Sequence, residues 1–227
     1  MNAIEESILK LDARLRDVRF DRAFLGGSVL SLLVTDPLVD TVRVTKDVDV
    51  MVDVRTRKDF HALDVTLERL GFAHDMSDGA PVCRWIYDGI TVDVLPIREE
   101  VLGWKSRWFE EALANAVTIV RDGHPIKIIS APYFVALKLE AFEERGERDF
   151  ITSTDFEDVV CLFNGRDSVV EEIAACEVLR AELAGKFTSY LESPDLKDAI
   201  EEFVQTEPNP EMRFRQIIDK FTTVAAL

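Results

Sequence analysis

The sequence predicts an α/β fold, with a mixed sheet and flanking helices over residues 1–130, followed by a helical C-terminal region over residues 131–227. Before Ser130, short apolar runs alternate with turn dipeptides. After Ser130, apolar residues recur at spacings of three and four, which is typical of helices. No Gly/Ser/Pro-rich linker marks the boundary, so the change between the two parts is gradual.

The elements of the first part follow from periodicity and turn residues. Residues 4–18 carry an apolar stripe at helical spacing, and residues 22–25 predict a short strand that runs into Gly26-Gly27-Ser28. Residues 29–34 predict a helix that ends before Pro37, because proline cannot continue a helix. The other elements predicted here are a strand at 46–54, a helix at 57–70, a hairpin of 82–87 and 90–95 joined by Asp88-Gly89, and a strand pair at 117–121 and 125–130.

The second part shows helical periodicity throughout. No internal repeat and no low-complexity segment interrupts the pattern. The predicted helices lie at 131–147, 154–164, 168–186, 194–205 and 210–224.

The charge balance limits the classes of partner. The 227 residues include 27 Lys and Arg against 43 Asp and Glu, a net charge of −16. This balance argues against charge-driven binding to DNA or to an anionic membrane, and no run of about 18 apolar residues predicts a membrane span. The early acidic residues do not fit a signal peptide, and three cysteines without a CxxC pair predict reduced thiols in a cytoplasmic protein.

Three carboxylates are candidates for a shared site. Asp47 and Asp49 lie two residues apart on the strand predicted at 46–54, so they point to one face, opposite the valines. Asp93 lies within an otherwise apolar strand, where a carboxylate is costly unless it is exposed, paired or bound to a cation. If these strands are neighbours, the three carboxylates converge, and Mg²⁺ would relieve their repulsion. The alternative is an edge strand with one solvated acidic face, and Asp53 supports it.

Gly26-Gly27-Ser28 are candidates for phosphate binding. Glycines where a strand meets a helix let backbone amides approach a phosphate, and the helix N-terminus favours negative charge. Ser28 could add a hydroxyl contact. A simple tight turn is the alternative interpretation of the same residues.

Taken together, these segments resemble a known family. Leu25-Gly-Gly-Ser28, Thr45-Lys-Asp-Val-Asp-Val50 and Thr91-Val-Asp-Val94 are similar to the three-part motif of the DNA polymerase β-type nucleotidyltransferase superfamily. Within that superfamily, the chain most resembles the small bacterial AbiEii and MenT proteins of toxin–antitoxin systems. The resemblance covers residues 20–165.

The resemblance implies a role for each matched residue. Gly26, Gly27 and Ser28 would hold the triphosphate of an NTP. Asp47 and Asp49 would bind Mg²⁺ in a two-metal site, and Asp93 would complete that site and act as the base toward the acceptor hydroxyl.

The resemblance also points to residues beyond Ser130. It implies that Lys138 contacts the phosphates, whereas a solvent-facing helical lysine is the alternative. Asp149 and Asp158 lie in segments similar to an Arg-Asp-x-x-Asp motif, but the spacing differs here, so their roles stay open.

Three functional hypotheses follow. The first is an enzyme that moves an NMP from an NTP to an acceptor hydroxyl on RNA (such as a tRNA 3′ end), a protein or a small molecule, with an antitoxin as a further partner. The second is a catalytically inactive nucleotide-binding or protein-interaction module of the same fold, and the third is a structural α/β protein. An RNA acceptor requires clustering of the basic residues Arg98, Lys105, Arg107, Arg121 and Lys127.

Overall fold

The computed structural model describes residues 2–39, 47–103, 106–144 and 148–227. The chain forms two compact units, Met1–Val29 with Val44–Ser130 and Leu30–Arg43 with Ala131–Leu227. One limit of these units falls at the residue where the sequence predicts the boundary, whereas Leu30–Arg43 is grouped with the C-terminal residues. The division of the chain into two domains at residue 130 stays a prediction. No helix in the described part of the chain is long and apolar enough to cross a membrane.

The first unit is built on a seven-stranded mixed sheet. Its strands are β1 (Arg22–Leu25), β2 (Asp47–Val52), β3 (Ala73–His74), β4 (Arg84–Tyr87), β5 (Ile90–Pro96), β6 (Val117–Arg121) and β7 (His124–Ile128). They lie in the order β3-β4-β5-β2-β1-β7-β6. Strand β2 pairs parallel with β5 and antiparallel with β1, so it lies at the centre of the sheet. The predicted mixed sheet is confirmed, and β3 is a short addition to it.

Two hairpins of the sheet turn at an Asp-Gly dipeptide, and the first has the two-residue turn that the sequence predicts. Asp88 and Gly89 have φ values of 48° and 77°, and Asp122 and Gly123 have φ values of 49° and 79°. Positive φ at both turn residues gives the backbone twist that matches paired strands. The second hairpin is tighter than predicted, because His124 already pairs with Arg121.

The helices of the first unit flank this sheet. They are α1 (Ala3–Arg14), α3 (Arg57–Arg69), α4 (Glu99–Leu102) and α5 (Phe109–Ala114). Helix α1 buries Ile8 and Leu11 completely, as its apolar stripe predicts. The sequence did not predict α4 and α5, which have four and six residues and are too short for the apolar spacing of a helix to recur.

The second unit is helical. Its helices are α2 (Leu30–Leu33), α6 (Ala131–Glu144), α7 (Thr154–Gly165), α8 (Val169–Ala175), α9 (Glu177–Leu191), α10 (Asp195–Val204) and α11 (Pro210–Ala225). Its core contains clustered aromatic rings: Phe163, Phe187 and Phe221 lie with their centroids 4.6–5.2 Å apart. Buried rings in contact contribute large apolar areas to the stability of this unit.

The prediction of one helix over residues 168–186 is wrong, because the helix is interrupted at Cys176. The backbone of Cys176 is not helical, with φ −86° and ψ 89°. The amide of Cys176 donates to the carbonyl of Ile173, whereas the carbonyl of Cys176 accepts from the amide of Arg180. One helix therefore ends and the next begins at the same residue, a break that the continuous apolar periodicity does not reveal.

The end of α7 explains why Leu30–Arg43 is grouped with the C-terminal residues. The amides of Thr35 and Asp36 both donate to the carbonyl of Gly165, at 2.8 and 2.9 Å. A Cβ atom at Gly165 would lie 2.6 Å from a methyl group of Val34, so only glycine permits this close approach.

Candidate functional site

Strand β2 carries the two aspartates predicted to form the site. Along β2, Asp47 and Asp49 are half-buried, whereas Val48 and Val50 are completely buried. Alternate residues of a strand point to opposite faces, so the two carboxylates share one face and the two valines fill the core on the other. The predicted parity of this strand is confirmed.

Strand β5 brings Asp93 next to this pair. The parallel register places Asp93 directly opposite Asp49, and Val92 and Val94 beside it are buried. Residues opposite each other on paired strands lie on the same face of the sheet. Asp47, Asp49 and Asp93 therefore share one face, although Asp93 is far from the other two in the sequence.

The turn after β1 lies against Asp49. Leu25 pairs with Asp49, and Gly26 follows with φ +72°, a conformation that favours glycine. A Cβ atom at Gly26 would overlap Oδ2 of Asp49 and lie 2.9 Å from its Cγ. The Gly26-Gly27-Ser28 turn and the aspartates thus form one cluster, and Gly26 is the residue that allows the close approach.

Ser28 has a role within this turn. Its side chain is completely buried, and its hydroxyl donates to the carbonyl of Leu25 at 3.0 Å. Gly27 begins a single 3₁₀ turn, Gly27–Val29, that precedes the four-residue α2. The helix predicted over residues 29–34 is therefore a 3₁₀ turn followed by the four-residue α2, and its dipole is correspondingly small. The contacts of Gly27 and Ser28 with a triphosphate stay predictions.

Arg84 is a member of the cluster that the sequence analysis missed. Arg84 lies on β4, opposite Asp93 of β5. Its guanidinium donates two hydrogen bonds to the carboxylate of Asp93, from Nε to Oδ1 at 2.8 Å and from Nη2 to Oδ2 at 2.7 Å. The same Nη2 atom lies 3.5 Å from Oδ2 of Asp47. The sequence does contain an indication of the contact between Arg84 and Asp93. A two-residue turn at Asp88-Gly89 pairs Tyr87 with Ile90, and the same register pairs Arg84 with Asp93.

The electrostatics of the cluster follow from this contact. The hydrogen bonds from Arg84 to Asp93 outweigh the effect of burial and raise the pKa of the guanidinium. Burial, followed by the negative charge of Asp93, raises the pKa of the neighbouring Cys83 thiol to about 11. Cys83 is therefore a neutral thiol near neutral pH.

The carboxylates of Asp47, Asp49 and Asp93 are suitable ligands for a divalent cation, but they are not arranged as a metal site in this structure. Three carboxylates on one face provide the oxygen ligands that Mg²⁺ prefers. Within the four described ranges, however, no group of three or more His, Cys, Asp or Glu side chains has the arrangement of a metal site. Arg84 instead provides the positive charge between Asp93 and Asp47.

Lys138 lies on α6, and its ammonium has partners within the second unit. Its Nζ lies 2.9 Å from Oδ1 of Asp155 and 2.6 Å from Oδ2 of Asp158. Burial disfavours the charged ammonium, but the attraction of Asp158 and Asp155 outweighs burial and raises the pKa of Lys138. The structure thus places Lys138 in a buried ion-pair cluster rather than in solvent, and its nucleotide-binding role stays a prediction.

Asp149, whose role the sequence left open, forms a local turn. Its carboxylate accepts from the hydroxyl of Thr152 and from the amides of Ile151 and Thr152. These hydrogen bonds, that of the Thr152 hydroxyl first, lower the pKa of Asp149. The contacts give it a role in the backbone conformation before α7.

The basic residues considered for an RNA acceptor are partly neutralised. Arg98 pairs with Glu110 at 2.9 Å, Arg121 with Glu5 at 3.1 Å, and Lys127 with Asp21 at 2.7 Å. Lys105 lies outside the described residues, as do Thr45 and Lys46 of the motif. Three of the candidate cations are therefore bound to carboxylates of the chain itself.

Comparison with solved structures identifies the fold. No protein-family model matches the chain, and no curated protein sequence matches it significantly. The structure is similar to the crystal structure of an antigenic nucleotidyltransferase-like protein from Paracoccidioides brasiliensis, with a TM-score of 0.53 and 19% identity over 94% of this chain and 92% of that protein. It is also similar to the solution structure of the antibiotic-resistance factor ANT(2'')-Ia, with a TM-score of 0.50 and 15% identity over 83% of this chain and 96% of that protein. At these identities the similarity establishes the fold: the chain has the α/β fold of nucleotidyltransferase-like proteins.

Proposed function

We propose that the protein is a metal-dependent nucleotidyltransferase, which moves an NMP from an NTP to an acceptor hydroxyl. The observation that carries the proposal is the placement of Asp47, Asp49 and Asp93 on one face of the sheet, with the Gly26 turn against Asp49. The nucleotidyltransferase-like fold supports it independently.

Each residue of the cluster has a proposed task. Asp47 and Asp49 would hold Mg²⁺, and Asp93 would complete the site and take the proton of the acceptor hydroxyl. The amides of the Gly26-Gly27-Ser28 turn face the triphosphate. When bound, the cation would stabilise negative charge on the phosphates and on the leaving pyrophosphate. The acceptor oxygen bonds to the α-phosphorus as the bond from that phosphorus to pyrophosphate breaks.

A small molecule or a protein hydroxyl suits the acceptor better than RNA. The net charge of −16 opposes the approach of a polyanion, and Arg98, Arg121 and Lys127 are paired with carboxylates. A toxin-like role similar to that of the AbiEii and MenT proteins, with an antitoxin as partner, is supported by the three sequence motifs. A cytoplasmic location fits the three cysteines, which form no disulfide.

A second candidate is a catalytically inactive module of the same fold. The observation that favours it is the Arg84 fork, which engages both oxygens of the carboxylate that the enzyme needs as a base. Such a module would bind a nucleotide or a protein partner without transferring an NMP.

The first test examines the site itself with a matched pair of variants. Asp49→Asn removes one carboxylate from the cluster, whereas Asp53→Asn makes the same change at a residue that pairs with Arg55. Calorimetric titration of ATP, CTP, GTP and UTP, with and without Mg²⁺, should show binding that needs Mg²⁺ and is lost only in D49N. The D49N protein should be as stable as the wild type or slightly more stable, because it loses one of several like charges.

Transfer is then measured directly. NTPs labelled at the α-phosphate are incubated with total RNA, with protein and with small hydroxyl compounds, and label retained on one class of acceptor identifies it. Binding without transfer to any acceptor would favour the inactive module. Equal binding by the wild type and D49N would refute the site itself.

A further inference from the structure

Arg84 connects two carboxylates that come from different strands. Its Nη2 atom lies 2.7 Å from Oδ2 of Asp93 on β5 and 3.5 Å from Oδ2 of Asp47 on β2. The guanidinium of Arg84 thus lies between two of the three carboxylates, where its positive charge offsets part of their mutual repulsion.

The ion pairs that Arg84 forms with Asp93 and Asp47 are partly shielded from water. The side chains are 28% exposed for Arg84, 12% for Asp93 and 42% for Asp47. A two-pronged arginine–carboxylate contact is stronger and more directional than a contact between point charges, and partial burial reduces its screening by salt. The Arg84–Asp93 contact therefore belongs with the stronger ion pairs of the chain, whereas Asp47 contributes a weaker second contact.

We propose that Arg84 is a built-in counter-ion that competes with a divalent cation for the Asp47–Asp49–Asp93 cluster and so sets the affinity of the site for that cation. This inference deepens the proposed function and rests on it. Without the cation, the guanidinium neutralises part of the cluster and holds the carboxylate of Asp93 through two hydrogen bonds. Cation binding at Asp93 requires the fork of Arg84 to open or to shift.

Arg84 changes the net charge of the carboxylate cluster. Three carboxylates with Arg84 carry a net charge of −2, and without Arg84 they carry −3. An opposite charge within a few ångströms typically changes the proton affinity of a carboxylate at least tenfold, and a divalent cation responds to the same field. Removing the guanidinium should therefore tighten cation binding, whereas a supporting role for Arg84 would predict the reverse.

The test measures binding of Mn²⁺ alone, from the electron paramagnetic resonance signal of the free ion. We expect Arg84→Gln to lower the dissociation constant roughly tenfold relative to the wild type. Arg84→Lys, which keeps the charge but loses the fork, should give an intermediate value and serves as the second variant if R84Q does not fold. Arg121→Gln is the matched control, because Arg121 also contacts a carboxylate, that of Glu5, through Nε and Nη2.

Two further measurements make the result specific. The gain in R84Q should vanish in the double variant with Asp49→Asn, because binding of Mn²⁺ elsewhere on this acidic chain does not depend on Asp49. In thermal unfolding, R84Q should start below the wild type without metal, and Mn²⁺ should raise its midpoint more than that of the wild type.

The outcomes are separable. Equal or weaker Asp49-dependent binding in R84Q and R84K would overturn the competition and leave the proposed function standing. A gain in R121Q equal to that in R84Q would also overturn it, because the effect would then be one of net charge. Absence of Asp49-dependent Mn²⁺ binding in every variant would overturn both proposals.

Discussion

The carboxylate of Asp49, on β2, lies directly against the backbone of Gly26, the first residue after β1. A side chain at residue 26 would overlap Oδ2 of Asp49, and the backbone there has φ +72°. Two independent constraints, one conformational and one steric, thus require glycine at the turn.

Substitution of Gly26 tests this contact. We expect Gly26→Ala to destabilise the protein more than Gly79→Ala, since Gly79 also has positive φ (+80°) but has open space around it. The excess in the free energy of unfolding, measured with urea, should be at least roughly 1 kcal/mol, the scale for overpacking a filled site. Asp49→Ala in the G26A background should recover part of that excess, and strict additivity of the two changes would contradict the contact.

The buried cluster around Lys138 predicts a stability effect. Lys138→Met leaves Asp155 and Asp158 without their cation in a buried position, so unfolding should become easier by roughly 3 kcal/mol. Lys127→Met is the control, because its pair with Asp21 is solvent-exposed and should contribute less than about 1 kcal/mol. Similar losses in the two variants, from urea unfolding curves, would contradict a buried role for Lys138.

The same variant decides the nucleotide-binding prediction for Lys138. Loss of a charge-assisted phosphate contact should weaken NTP binding by roughly 1–3 kcal/mol. Calorimetric titration of K138M at a temperature where it is fully folded measures this loss. Unchanged affinity would limit Lys138 to its contacts with Asp155 and Asp158.

The ionisation of Cys83 predicts how stability depends on alkaline pH. Its pKa is about 11 in the folded protein, above its ordinary value of 9.0, because burial and Asp93 disfavour the thiolate. The unfolded chain therefore releases this proton first, and stability falls as pH rises from 9 towards 11, by roughly 2 kcal/mol. Cys83→Ala should flatten this part of the profile, as measured from unfolding curves at several pH values. An unchanged slope would contradict the assignment.

Thiol alkylation provides a related prediction. Cys83 and Cys161 are buried, whereas Cys176 is partly exposed at the break between α8 and α9. With iodoacetamide at pH 8 we expect Cys176 to react first and the other two to react only as the protein opens. Mass spectrometry of the alkylated peptides over time gives the order. Early labelling of Cys83 would show that β4 opens locally.

Those features of the site that depend on residues near each other in the chain could be predicted from the amino-acid sequence. The alternation of valine and aspartate along residues 47–50 placed both carboxylates on one face, because side chains alternate along any strand. The Asp88-Gly89 dipeptide predicted a two-residue hairpin, because both residues tolerate positive φ. That hairpin also determined the Arg84–Asp93 pair, although only its register, and no motif, pointed to the arginine.

The contacts between segments that are distant in the chain are apparent only in the folded protein. The parallel pairing that sets Asp93 opposite Asp49, and the partners of Lys138 on α7, join segments whose contacts depend on packing summed over the whole unit. Local periodicity determines which face of the sheet each residue occupies but not which strands become neighbours, and a shift of two residues would keep the same valine face in the core. For the same reason the break at Cys176 escaped prediction: the apolar stripe continues through it, and only the backbone conformation of that residue ends the helix.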